Sequence, residues 1–263
     1  MNDRPALQAT PTAALRAVVL GASNLTIHLP AVLAHLCRGA GGPVEVLAAC
    51  GHGRSYGDWS RLLWMRGLPG IRGCGLWAEL ARRPSMPTLA LVTDVGNDLG
   101  YGASAATIAG WVADCVERLS SERAKIVLTL PPLETFQRLP AWQFHAARTL
   151  LFPGRRIVRR ALLAEAEELC RRLRRLAEES GAVLVEPELA WYGIDPIHLR
   201  RSAAPRAWET ILGGWDLPPR PGRGRPFRLP RLLLAEELRL FGRPVSRPQP
   251  CWTSPDGTAL SLY

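Results

Sequence analysis

Five short apolar runs, each ending in a turn, constrain this chain more than any other feature. They are Val18–Leu20, Val44–Ala49, Thr88–Thr93, Ile126–Leu130 and Val183–Val185. Helical patterns alternate with them. Pro30 reads as the first position of a helix over Ala31–Arg38, stopped by Gly39,. Ile108, Trp111, Val112, Cys115, Val116 and Leu119 recur at helical spacing, as does a stripe from Val158 to Leu176 that Gly181 ends,. A last helix, capped by Ser202, carries Trp208, Ile211 and Leu212. Strands alternating with helices form βαβ units, so an α/β fold with a parallel sheet covered on both faces is expected. Ligands of such sheets bind beyond the carboxyl ends of the strands, and the loops there are the first places to search.

The remaining segments read less regularly. Asn24–Leu29 reads as a loop, Asp58–Trp64 as helix-like, Leu76–Arg82 as a short helix, and Glu134–Pro153 as irregular and aromatic-bearing. The composition shifts at Leu217. Pro218–Pro226 looks like a solvated linker, Leu232–Phe241 like a short amphipathic helix, and Pro255-Asp256-Gly257 like a hairpin turn between two β-prone runs,. Residues 1–216 are therefore read as the main domain, and 217–263 as a basic Pro/Arg-rich extension.

Of the 33 basic residues, Lys125 is the only lysine, and the formal net charge is +10. The extension holds eight arginines against Glu236, Glu237 and Asp256, half of that excess. A basic surface favours anionic partners. Glu236 and Glu237 lie on the extension's leucine-rich stretch, and a single aromatic, Phe227, stands among the arginines of its basic part, so a solvated appendage, lid or dimer contact is the first reading. A nucleic-acid or anionic-membrane surface is the second. No run of eighteen apolar residues exists, and Met1–Pro11 shows no secretory pattern, so a cytoplasmic protein is expected,. The six cysteines, Cys37, Cys50, Cys74, Cys115, Cys170 and Cys251, form no CxxC pair. Reduced thiols are expected, and no metal site.

Four of the strand-end loops carry residues suited to one chemistry. They hold Ser23, Gly51 and Gly53, Asn97, and the pair Asp195 and His198. Acyl transfer needs a hydroxyl to attack a carbonyl, an imidazole to take and return its proton, and a carboxylate to orient the imidazole. It also needs N–H donors for the oxyanion. His28 and His52 lie in active-side loops and are candidate pocket residues. His35 and His145 carry no such signal.

In block order, Ala17 to about Leu212 resembles the SGNH (GDSL) hydrolases. Gly21-Ala22-Ser23 matches the nucleophile block, Ala48–Ser55 the glycine block, Gly96-Asn97-Asp98 the Asn block, and Asp195-Pro196-Ile197-His198 the D-x-x-H block. The resemblance implies a flavodoxin-like three-layer α/β/α sandwich with about five parallel strands. It implies Ser23 as nucleophile, His198 as general base and then acid, and Asp195 as the residue that orients His198. The oxyanion hole would be the backbone N–H groups of Ser23 and Gly53 and the side-chain amide of Asn97, with no cofactor and a small-molecule ester, thioester or acetyl-ester substrate. Two positions depart from the pattern. Ala22 stands where the family usually has Asp, and Val95 where it usually has Gly. Gly51 competes with Gly53, which the length of the preceding strand favours. A rival pattern, Gly53-Arg54-Ser55-Tyr56-Gly57, fits a G-x-S-x-G elbow with Ser55 as nucleophile. Too few strands precede it for that fold. A ligand-binding scaffold with weak or no turnover is the alternative to the enzyme, because of Ala22 and Val95.

Overall fold

The computed structural model describes residues 13–62, 65–151, 154, 157–218, 229 and 234–263. The chain runs β1 (Leu15–Leu20), α1 (Ser23–Ala40), β2 (Val44–Ala49), β3 (Ser60–Leu62), β4 (Arg66–Leu68), α2 (Leu76–Arg82) and β5 (Thr88–Val92). It continues through α3 (Asn97–Gly100), α4 (Ala105–Ser121), β6 (Lys125–Thr129), α5 (Leu133–Arg138), α6 (Ala141–Leu151), α7 (Arg159–Ser180) and β7 (Val183–Val185). It ends with α8 (Ala204–Gly213), β8 (Glu237–Leu240), β9 (Arg243–Ser246), β10 (Trp252–Thr253) and β11 (Ala259–Leu262).

The central sheet has seven strands in the order β10-β11-β2-β1-β5-β6-β7. The five strands expected from the apolar runs are its parallel middle, β2-β1-β5-β6-β7, the doubly wound order of flavodoxin-like sheets,. Alternation along each strand builds two cores. Val18, Leu20, Leu47, Ala90, Val92 and Leu128 face α4 and α7, where Ile108, Val112, Leu169 and Leu173 meet them. Ala17, Val19, Val46, Leu89, Leu91 and Val127 face α1 and α8, where Leu29, Leu33, Trp208 and Ile211 meet them. The three layers follow from this period of two.

Several local expectations are corrected. The loop assigned to Asn24–Leu29 is helix. α1 begins at Ser23 and Pro30 lies inside it, because a carboxylate from another strand caps the helix start, as described below. The helix expected over Asp58–Trp64 is not found where it is described: Ser60–Leu62 is β3, paired antiparallel with β4, and Leu63 and Trp64 lie outside the described residues. Of the segment Glu134–Pro153, the described part, up to Leu151, is mostly helical rather than irregular. Pro132 and Pro140 each stand just ahead of a helix, α5 and α6, where a missing N–H costs nothing,. α8 starts at Ala204 rather than at a Ser202 cap, with Pro205 in its first turn. The short helix expected over Leu232–Phe241 is not found among its described residues, which are irregular over 234–236 and then form a strand. Glu237–Leu240 is β8, held between β4 and β9 by pairings no local pattern reveals. Of the linker Pro218–Pro226, all but Pro218 lies outside the described residues.

The C-terminal strands join both sheets. β11 pairs in parallel with β2, and β10 turns back on β11 through the Pro255-Asp256-Gly257 turn. β8 and β9 complete a second, antiparallel sheet of order β3-β4-β8-β9. That sheet walls one side of the loops at the carboxyl edge of the central sheet.

Candidate active site

Ser23 sits at the end of β1 as the first residue of α1, almost fully buried. Gly21 makes that turn possible, since a Cβ there would stand 2.8 Å from Cγ2 of Thr93. The segment after α7 delivers the histidine. Nε2 of His198 lies 2.8 Å from Oγ of Ser23, and its Nδ1 lies 2.6 Å from Oδ2 of Asp195. Asp195 also accepts the backbone N–H groups of Ile197 (3.0 Å) and His198 (3.2 Å) on Oδ1. One carboxylate thus shapes its own turn and points the imidazole at the hydroxyl.

The residue that ties this arrangement together went unassigned in the sequence. Asp94, just past β5, has a left-handed backbone (φ 59°), a conformation Asp tolerates better than most residues,. Its Oδ2 accepts the N–H groups of Ala22 (2.8 Å) and Leu25 (3.1 Å), and its Oδ1 accepts Nδ2 of Asn24 (2.9 Å). It is the cap of α1, supplied across about seventy residues, where N-cap Ala22 has no side chain to offer,. Asn24 passes the grip on. Its Nδ2 donates to the carbonyl of Ile197 (2.8 Å) and its Oδ1 accepts the N–H of Leu199 (2.9 Å), the two residues that flank His198. The serine and histidine loops are therefore held in one hydrogen-bonded unit. The only hint in the sequence was an acidic residue at a strand end just before the Asn block.

The glycine turn and the helix that starts at Asn97 are tied to each other. Gly53 has a left-handed backbone (φ 65°), and a Cβ on it would stand 2.7 Å from the hydroxyl of Tyr101. That hydroxyl donates to the carbonyl of Gly53 (2.9 Å), joining the glycine turn to the helix begun by Asn97. Asp98, beside Asn97, accepts the N–H of Tyr56 at 2.9 Å. Burial pushes its carboxyl up to about 6, against the opposing hydrogen bonds from Ser55 and Tyr56. Val95, at the departing position, is buried and packs into the core on the α4 side. Ser55 is buried, and its Oγ accepts the N–H groups of Gly57 (3.1 Å) and Asp58 (3.0 Å). It serves that turn, and the helix that an elbow would require after it is the strand β3.

The electrostatics favour a charged pair. The hydrogen bond to Asp195 raises the pKa of His198, opposed by burial and aided by the charges of Asp195 and Asp94. Burial alone would raise Asp195, but the hydrogen bonds from His198 and from the N–H of Ile197 outweigh it and leave the carboxyl lowered. His28 packs on Trp208 with ring centroids 5.9 Å apart, and burial lowers its pKa. His52 instead lines a cavity beside the glycine turn. A second, apolar cavity lies on the other side, walled by Asn97, Phe136, Leu139, Phe144, Pro196 and Ile197.

Among the described residues no group of three His, Cys, Asp or Glu is placed to hold a metal, and no helix is long and apolar enough to cross a membrane. All six cysteines are free thiols.

No family model matches the chain, and no curated protein matches it in sequence. Solved structures do. An aryl esterase from M. smegmatis superposes with a TM-score of 0.50 at 17% identity, over 76% of this chain and 98% of its own. A putative arylesterase from Agrobacterium tumefaciens gives 0.49 at 17% identity, over 78% and 100%. AlinE4, described as an SGNH-hydrolase family esterase, gives 0.42 at 18%, over 79% and 95%. The likeness to the aryl esterase shows a common fold.

Proposed function

We propose that this chain is a serine hydrolase of the SGNH type, which cleaves a carboxylic ester through an acyl-enzyme on Ser23. The observation that carries the reading is the pair of short contacts, 2.8 Å from Ser23 to His198 and 2.6 Å from His198 to Asp195. In the first half-reaction Oγ of Ser23 attacks the ester carbonyl while Nε2 of His198 takes its proton. Asp195 holds the tautomer that leaves Nε2 free and stabilises the imidazolium once formed. The carbonyl oxygen becomes an oxyanion, held by the backbone N–H groups of Ser23 and Gly53 and the side-chain amide of Asn97. The N-terminus of α1 adds its partial positive charge beside Ser23. The imidazolium then protonates the departing alcohol as the C–O bond breaks. In the second half-reaction His198 activates water, which attacks the acyl carbon and releases the acid and Ser23.

Ala22 is compatible with this chemistry because Asp94 organises the nucleophile turn from the neighbouring strand. Hydrolysis of 4-nitrophenyl acetate and 4-nitrophenyl butyrate tests the reading. Ser23→Ala and His198→Ala should each lower kcat/KM by at least about 1,000-fold. Asn97→Ala should lower it about 100- to 1,000-fold. Ser55→Ala, assayed below its melting temperature, should keep most of the rate. A Ser23→Ala protein that still turns over at the wild-type rate ends the proposal.

A further inference from the structure

The glycine turn does not fix its own geometry. Gly51 and Gly53 flank an exposed histidine, and Gly53 is itself half-buried at best, with a left-handed backbone. With no Cβ, glycine takes left- and right-handed conformations alike. The direction of the Gly53 N–H, the proposed oxyanion donor, therefore has to be set by contacts from outside the turn. An oxyanion donor acts through preorganisation, so a donor that wanders loses most of its effect.

Those contacts converge on Arg54. Its backbone N–H donates to the carbonyl of Gly51 (3.1 Å) and closes the turn. Its side chain is fully buried. Nε donates to the carbonyl of Pro69 (3.1 Å), and Nη1 donates to the carbonyls of Cys50 (3.4 Å) and Tyr263. One planar fork thus joins both ends of the turn, Cys50 and Arg54, to two segments outside it. Pro69 follows β4, and just beyond it the N–H groups of Ile71 and Arg72 donate to the carbonyls of Ser55 (3.0 Å) and Tyr56 (2.9 Å). Tyr263 follows β11, and its N–H donates to the carbonyl of Ala48 (2.9 Å), which carries the pairing with β2 up to the turn. Burying a guanidinium costs stability, and Nη2 of Arg54 has no partner among the described residues,. An apolar side chain could fill the same space but could not fix three carbonyls. We propose that Arg54 is the positioning residue of the oxyanion hole, and that the C-terminal strand β11, through Tyr263, is the support against which it fixes Gly53. Arg54 touches no reacting atom. The inference rests on the hydrolase reading, and it gives the far end of the extension a part in turnover.

Arg54→Gln is best compared with Arg16→Gln. Arg16 is buried as completely, but it stands near the amino end of β1, paired with Glu45, away from the turn. Both variants should lose stability. With 4-nitrophenyl butyrate, Arg54→Gln should lower kcat about 10- to 100-fold and keep KM within about twofold, whereas Arg16→Gln should keep both within about twofold. Arg54→Lys, which keeps the charge but not the fork, should recover part of the loss. Where Arg54→Gln fails to fold, the lysine variant carries the same test, with kcat lowered about three- to tenfold at unchanged KM. Amide hydrogen exchange read by mass spectrometry reports on the turn without catalysis. The peptide carrying Gly51 to Gly53 should exchange faster in the Arg54 variant, and the peptide of α4 should not. Faster exchange there, in a protein whose wild type turns over no ester, would keep Arg54 as the anchor of the turn and sink the hydrolase reading. Equal falls in kcat in the two glutamine variants, or a folded Arg54 variant with wild-type kcat, would overturn the inference and leave the hydrolase standing.

Discussion

Asp94→Asn is the substitution that most directly probes how this site is held. Asp94 accepts three hydrogen bonds, two from backbone N–H groups on Oδ2 and one from Asn24 on Oδ1. Asparagine tolerates the same left-handed backbone but has one acceptor oxygen. If that oxygen keeps Ala22 and Leu25, the new amide faces Nδ2 of Asn24, donor against donor. One charge-assisted hydrogen bond is lost, about 1.5–3 kcal/mol. The negative charge at the start of α1 is lost too, about 0.3–1 kcal/mol more. The expected destabilisation is about 2–4 kcal/mol. With a urea m-value of about 2 kcal/mol/M, the unfolding midpoint should fall by about 1–2 M. Asn24, released on one side, holds Ile197 and Leu199 less firmly, and His198 moves with them. Displacements of that kind cost up to about 100-fold in rate, so kcat/KM should fall about 10- to 100-fold. The charge of Asp94 also helps to raise the pKa of His198, so the acid limb of the pH profile should move down. Urea titration followed by tryptophan fluorescence, with kcat/KM measured against pH, reads all three effects. A variant with an unmoved urea midpoint and kcat/KM within about twofold of wild type would refute the reasoning.

Three further outcomes are expected. Activity requires neutral His198, whose pKa is raised, so the acid limb of kcat/KM should have its midpoint above the ordinary histidine value of about 6.5 and should move lower in Asp195→Asn,. The stability from the pair with Asp195 runs the opposite way, being complete below about pH 6.5 and lost as pH rises through the raised value. Asp98 is held up to about 6, so the folded state keeps a proton that the unfolded state has already lost. Stability should therefore decline as pH climbs through that window, and Asp98→Asn should flatten the dependence in melting temperatures taken from pH 4 to 7.5,. A Cβ on Gly70 would stand 2.2 Å from the carbonyl oxygen of Gly57, whereas one on Gly73 meets nothing within 4 Å. Gly70→Ala should cost about 3 kcal/mol or more and Gly73→Ala less than about 0.5 kcal/mol, by chemical denaturation.

The parallel middle of the sheet was legible because β1, β2, β5 and β6 are mostly buried and read as apolar runs, and because β7, whose Val183 is exposed, is still a run of β-branched and aliphatic residues. α4 and α7 were legible because each buries one stripe. What failed was set by distant partners. Asn24–Leu29 looks like a loop until Asp94 caps it. Ser60–Leu62 and Glu237–Leu240 become strands only because β4 lies between them. β11 becomes a strand only by pairing with β2, made about two hundred residues earlier,. The same division runs through the site. Ser23, Asp195 and His198 stand in short local patterns and could be named from them. Asp94 could not. Asp94 is an ordinary acid until its three donors arrive from the start of α1.

The central claim, that Ser23 is the nucleophile, is tested most directly by treating the full-length protein with a fluorophosphonate and mapping the adduct by peptide mass spectrometry. One phosphonyl group should be found, on the peptide carrying Ser23. Labelling should be abolished in Ser23→Ala, slowed strongly in His198→Ala and retained in Ser55→Ala. An adduct on Ser55, or labelling that persists undiminished in Ser23→Ala, would contradict the account.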